Sequence, residues 1–136
     1  MIKSIRNFSL VAMTVMMLTT SAFGAEHTKD TLAVVKANIE QEKAVFVDVR
    51  EVREWNAGHL EGALFVPLSR LQKGVDPKSL DKRIDKQKIL YTHCKAGGRC
   101  LVAAEILQKL GYQVRPLKQG TQELIDSGFP AAKKKE

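Results

Sequence analysis

Apolar residues recur at intervals of three and four over residues 28–41, at Leu32, Val35 and Ile39. That spacing predicts a helix, with Thr28 or Asp30 placed to cap its start. The period then changes. Ala44-Val45-Phe46-Val47-Asp48-Val49 is nearly continuous and β-branched, the pattern of a strand buried on both faces of a parallel sheet. Residues 50–56 are charged and predict a short helix ending before Gly58, and residues 59–62 predict a turn. Ala63-Leu64-Phe65-Val66 predicts a second strand, stopped by Pro67, with Ser69 placed to cap a short helix through Leu71. Asp76-Pro77 opens another helical stretch over residues 78–84. Residues 88–93 read as a third strand and residues 99–110 as a helix closed by Gly111. Residues 112–117 read as a fourth strand, and residues 121–127 as a last helix after Gly120. Strands alternating with helices predict an α/β domain with a mainly parallel sheet.

The first residues stand outside this alternation. Lys3 and Arg6 precede an apolar run over residues 8–18, and small residues follow at Ser21-Ala22-Phe23-Gly24. This is the pattern of a cleaved signal peptide over residues 1–24, too short for a stable membrane span, which needs roughly 20 apolar residues. The mature domain is then residues 25–136, exported to the periplasm or secreted. Loss of Lys3 and Arg6 lowers the formal charge from +7 to +5, which suits small anions. Aromatic residues do not interleave with the basic ones, so nucleic acid is not an expected partner. His27, His59 and His93 are scattered and do not suggest a metal site.

Between the third strand and the following helix lie Cys94-Lys95-Ala96-Gly97-Gly98-Arg99. A thiol there faces backbone N–H groups and a helix N-terminus, which favour negative charge and hence the reactive thiolate. Gly97 and Gly98 let successive N–H groups turn inward as a nest for an anion. Lys95 and Arg99 add positive charge at the rim. Asp48 interrupts its strand near the C-terminal end, where a carboxylate needs a partner and where ligand sites gather in open sheets.

The loop resembles the C-x-x-G-x-R active-site loop of the rhodanese-domain sulfurtransferases. Val47-Asp48-Val49-Arg50-Glu51, Glu54-Trp55, residues 58–63 from Gly58-His59 to Gly62-Ala63, and Val66-Pro67 resemble that family's upstream motifs, and Gly128-Phe129-Pro130 its ending. Gln119 and Leu124 depart from the pattern, and Cys100 stands where serine or threonine is common. The resemblance spans residues 30–131. It implies a rhodanese-like sheet of four to five strands with helices on both faces.

It further implies that Cys94 carries a sulfane sulfur as a persulfide, from an anionic donor such as thiosulfate or polysulfide to cyanide or a thiol, an exported protein thiol included. The N–H groups over residues 95–99 would stabilise that persulfide. Arg99 would either orient the anion or brace the loop through a carboxylate. Asp48, Arg50 and His59 would support the site. No cofactor or metal is implied, because the sulfur is carried covalently. Cys100 is a candidate resolving thiol that would release sulfide and leave a Cys94–Cys100 disulfide; the alternative is a small helix residue packed like a serine. Other readings remain: an anion- or partner-binding module, a thiol redox module, or a phosphatase or arsenate reductase. Four residues separate Cys94 from Arg99 here; the phosphatase-type loops have five, so this smaller ring favours sulfur.

Overall fold

The computed structural model describes residues 24–135. The leader expected over residues 1–24 lies, Gly24 apart, outside them. Four strands form one parallel sheet in the order β2-β1-β3-β4: β1 (Ala44–Asp48), β2 (Leu64–Phe65), β3 (Ile89–His93) and β4 (Gln113–Val114). The helices are α1 (Leu32–Glu40), α2 (Val52–Ala57), α3 (Leu68–Lys73), α4 (Pro77–Asp81), α5 (Arg99–Lys109) and α6 (Thr121–Asp126). Among the described residues, no helix is long and apolar enough to cross a membrane.

Alternation along the central strands builds two cores. Val47, Val49, Leu90 and Cys94 pack on one face with Leu71, Leu80, Ala103, Ala104 and Leu107, from α3, α4 and α5. Ala44, Phe46 and Tyr91 pack on the other with Val35, Leu124 and Phe129, under α1 and α6. The helices therefore cover both faces, and Leu124, at one departure from the family pattern, is a fully buried core residue.

Three local expectations change. Thr31, not Thr28 or Asp30, caps α1 through its side chain. The Asp30 carboxylate is occupied instead: it accepts from Tyr91 Oη at 2.6 Å and Arg115 Nη1 at 2.9 Å. Ser69 does not cap α3, which starts after Pro67; its hydroxyl donates to Glu51 Oε2 at 2.7 Å. The fourth strand is two residues rather than six. Arg115 and Leu117 still donate to Leu90 and Thr92, but Pro116 between them has no N–H. The Pro116 carbonyl accepts from Thr28 N–H at 2.7 Å, which lays the segment before α1 along this edge.

Candidate active site

β3 delivers Cys94 to the C-terminal edge of the sheet, and α5 begins five residues later. The Cys94 side chain is 1% exposed. Its sulfur accepts from Gly97 N–H at 3.2 Å. The chain reaches that position because Gly97 adopts φ of 88°, in the left-handed region. Gly98 stands at the N-cap of α5 with no side-chain cap, which leaves the first-turn N–H groups to the loop.

These surroundings set the charge on sulfur. The adjacent Cys100 thiol and the N–H groups of Cys100, Gly97 and Ala96 hold the Cys94 thiol down, to about 5, against burial, which works the other way. Cys100 is fully buried, and its thiol donates toward the carbonyls of Gly97 and Leu117, each at 3.2 Å. Its pKa is raised, by the neighbouring Cys94 and by burial. Once Cys94 is ionised, that thiolate is a stronger acceptor for the Cys100 proton than either carbonyl. One thiol is thus kept charged and the other neutral.

Arg99 is engaged by a carboxylate. Its Nη1 and Nη2 donate to Glu54 Oε1 and Oε2 at 2.6 and 2.9 Å, a bidentate pair tying the start of α5 to α2. Arg99 holds the Glu54 carboxyl down to about 2. Asp48, 0% exposed, binds Arg50 through the backbone N–H and Nε of Arg50, and through Nη2 at 2.8 Å; Nη2 also reaches Gly58 O. This buried pair fixes the turn between β1 and α2. His59 binds its own turn, with Nδ1 at 3.0 Å from Trp55 O and its ring stacked 3.5 Å over Trp55. Lys95 and Ala96 are exposed. A cleft of about 450 Å³ opens beside Lys95, lined also by Arg50, Glu54, Gly58 and Thr121. A larger hollow of about 570 Å³ at residues 81–86 has no thiol or hydroxyl in its wall.

A model of the rhodanese-like domain matches residues 31–127. The chain belongs to the rhodanese-like family. The rhodanese-like fold extends to solved structures. A rhodanese-related protein from Thermoplasma volcanium is 27% identical with a TM-score of 0.59, over 74% of this chain and 92% of that one. A human single-domain sulfurtransferase, at 24% identity, shares the fold with a TM-score of 0.58, over 76% of this chain and 97% of that one. Among curated proteins, a tRNA uridine(34) hydroxylase of Erwinia tasmaniensis is 33% identical over 82 residues, 60% of this chain and 23% of that protein. The one from Salmonella paratyphi B is 31% identical over 67% of this chain and 27% of its own length. The chain thus spans about a quarter of the curated relatives it matches.

This rhodanese-like loop leans on residues that sequence reasoning left out. Gly120 lies behind it: a Cβ there would overlap the Lys95 carbonyl oxygen. Thr121 N–H donates to Cys94 O at 2.9 Å, and its Oγ1 lies 3.0 Å from His93 Nδ1. His93 is fully buried with Nε2 unpartnered, and burial lowers its pKa to about 4, so it stays neutral beside Cys94. His27 Nε2 reaches Gly97 O at 2.6 Å. Gly120 was legible as a turn; nothing in the sequence marked its contact with a loop 25 residues earlier.

Proposed function

We propose that the protein is a sulfurtransferase that carries sulfane sulfur on Cys94. The observation behind this reading is one buried thiol, held at about 5 by donors gathered around its sulfur. A thiolate is the attacking form. It attacks the outer sulfur of thiosulfate; the sulfur–sulfur bond of the donor breaks, and sulfite leaves with the electron pair. The product, a Cys94 persulfide anion, places its terminal charge among the N–H groups of the loop. Cyanide or a thiolate then attacks that terminal sulfur, and Cys94 leaves as the thiolate. Lys95, exposed at the cleft beside the loop, attracts the anionic donor.

Small size argues against phosphate-ester hydrolysis, since four residues bridge Cys94 and Arg99 and the Arg99 fork is already filled by Glu54. Hydroxylation of tRNA is named for proteins of which this chain spans about a quarter, and the thiolate loop itself favours sulfur. The N-terminal pattern of Lys3, Arg6 and the apolar run supports work outside the cytosol.

Intact-mass measurement after exposure to thiosulfate or polysulfide tests the reading. Wild type gains one sulfur, discharged by cyanide; Cys94→Ser gains none. Equal uptake by both proteins, or phosphatase activity without uptake, overturns it.

A further inference from the structure

The loop is open toward solvent and held from behind. At the back, the Gly97 carbonyl receives His27 Nε2 at 2.6 Å and the Cys100 thiol at 3.2 Å. A carbonyl oxygen only accepts, so this contact requires the proton on Nε2. His27 comes from the segment before α1, 70 residues earlier in the chain. That segment is fastened on either side of the imidazole: Thr28 N–H donates to Pro116 O, and Ala25 packs on the core that contains Cys94 and Cys100. Gly97 makes the room. A Cβ at Gly97 would stand 3.1 Å from His27 Nε2 and 3.1 Å from the Lys118 carbonyl oxygen.

The consequence for the front of the loop follows from peptide geometry. Gly97 C=O and Gly98 N–H belong to one planar trans unit and point in opposite directions. With the carbonyl turned back to His27 and Cys100, the Gly98 N–H turns to the other side, where Gly98 is exposed. The preceding peptide gives its N–H, that of Gly97, to the Cys94 sulfur. Two donors of the loop therefore depend on how the Gly97 carbonyl is held.

We propose that His27 is a positioning residue of the Cys94 site, clamping the Gly97–Gly98 peptide so that Gly97 N–H stays on the sulfur and Gly98 N–H meets the charge of an arriving or transferred sulfur. It acts through the backbone and touches neither sulfur nor substrate. The role rests on the reading of Cys94 as the sulfur carrier, and the experiment keeps the two apart.

The pH profile of Cys94 alkylation by iodoacetamide, read by peptide mass, is measured alongside persulfide formation from thiosulfate. The proteins are wild type, His27→Ala, His27→Leu and His27→Gln. Losing one hydrogen bond to the loop raises the alkylation midpoint by about half to one unit in the Ala and Leu variants, with persulfide formation slowed roughly tenfold at most. Gln, whose amide N–H reaches as far as Nε2, restores most of both. A wild-type midpoint in the Ala or Leu variant overturns the proposal. So does a Gln variant shifted as far as Ala, which would reduce His27 to packing. A wild type that takes up no sulfur, yet whose alkylation midpoint still depends on His27, removes the sulfur-carrier reading and leaves the clamp standing.

Discussion

The two ends of the active loop hold the same functional group in opposite surroundings. Cys94 meets the Cys100 thiol and N–H groups from Cys100, Gly97 and Ala96, and its thiol is held down to about 5. Cys100, six residues on and equally buried, meets the carbonyls of Gly97 and Leu117 and keeps its proton. Both are below 2% exposed, so exposure does not separate them. Their mutual contact does: the Cys100 thiol lowers Cys94 and Cys94 raises Cys100, with the N–H groups of Cys100, Gly97 and Ala96 adding to the first shift and burial to the second. Donors aimed at a sulfur make a nucleophile, and acceptors aimed at it make a hydrogen-bond donor. A resolving role for Cys100 therefore asks a thiol in an acceptor-lined pocket to ionise, whereas a donor role to Cys94 asks nothing further of it.

The loop that holds both thiols is most sensitive from behind. Gly120→Ala drives a methyl into the Lys95 carbonyl. Loop displacement should lower sulfur uptake roughly hundredfold and destabilise the fold by about 3 kcal/mol, checked by persulfide kinetics and chemical denaturation. The contrast between the thiols is sharpened next by Cys100. Cys100→Ala removes the donor and should raise the Cys94 alkylation midpoint from about 5 by about one unit. Cys100→Ser keeps a hydroxyl donor and should stay near wild type in midpoint and turnover. A Ser variant that loses turnover, with a disulfide forming only in wild type, would restore the resolving role.

The smallest effect concerns the strut that sets where the loop ends. Arg99 and Glu54 are each about a third exposed, so Glu54→Gln should cost about 1 kcal/mol or less. The sign with pH follows from the depressed Glu54 carboxyl. It is ionised in the folded chain down to about 2, whereas the unfolded value is 4.5. Its stabilisation is complete above 4.5 and fades as pH falls toward 2. Acid denaturation of the Gln variant should lack that part of the slope.

Much of this was readable along the chain, because local pattern carried it. The continuous run over residues 44–49 gave β1, the spacing of Leu32, Val35 and Ile39 gave α1, and Gly58 and Gly111 marked helix ends. What was misread turned on partners distant in sequence. Asp30 is taken from the helix cap by Tyr91 and Arg115. Ser69 is taken by Glu51. Arg99, left open between anion and carboxylate, is engaged by Glu54, 45 residues before it. No local rule of capping or spacing sees such competitors.

Legible from the chain alone are the succession of strands and helices, the cysteine between a strand and a helix, and the two glycines that let the loop curl. Those are consequences of side-chain periodicity and backbone freedom, both local. Which way each peptide of the loop faces is settled by folding. That depends on His27 before the first helix, on Leu117 and Lys118 after the last strand, and on the absence of a side chain at Gly120. The contact between the two thiols, helped by the loop N–H groups on Cys94, separates the charged thiol from the neutral one, and it forms only when the chain has folded.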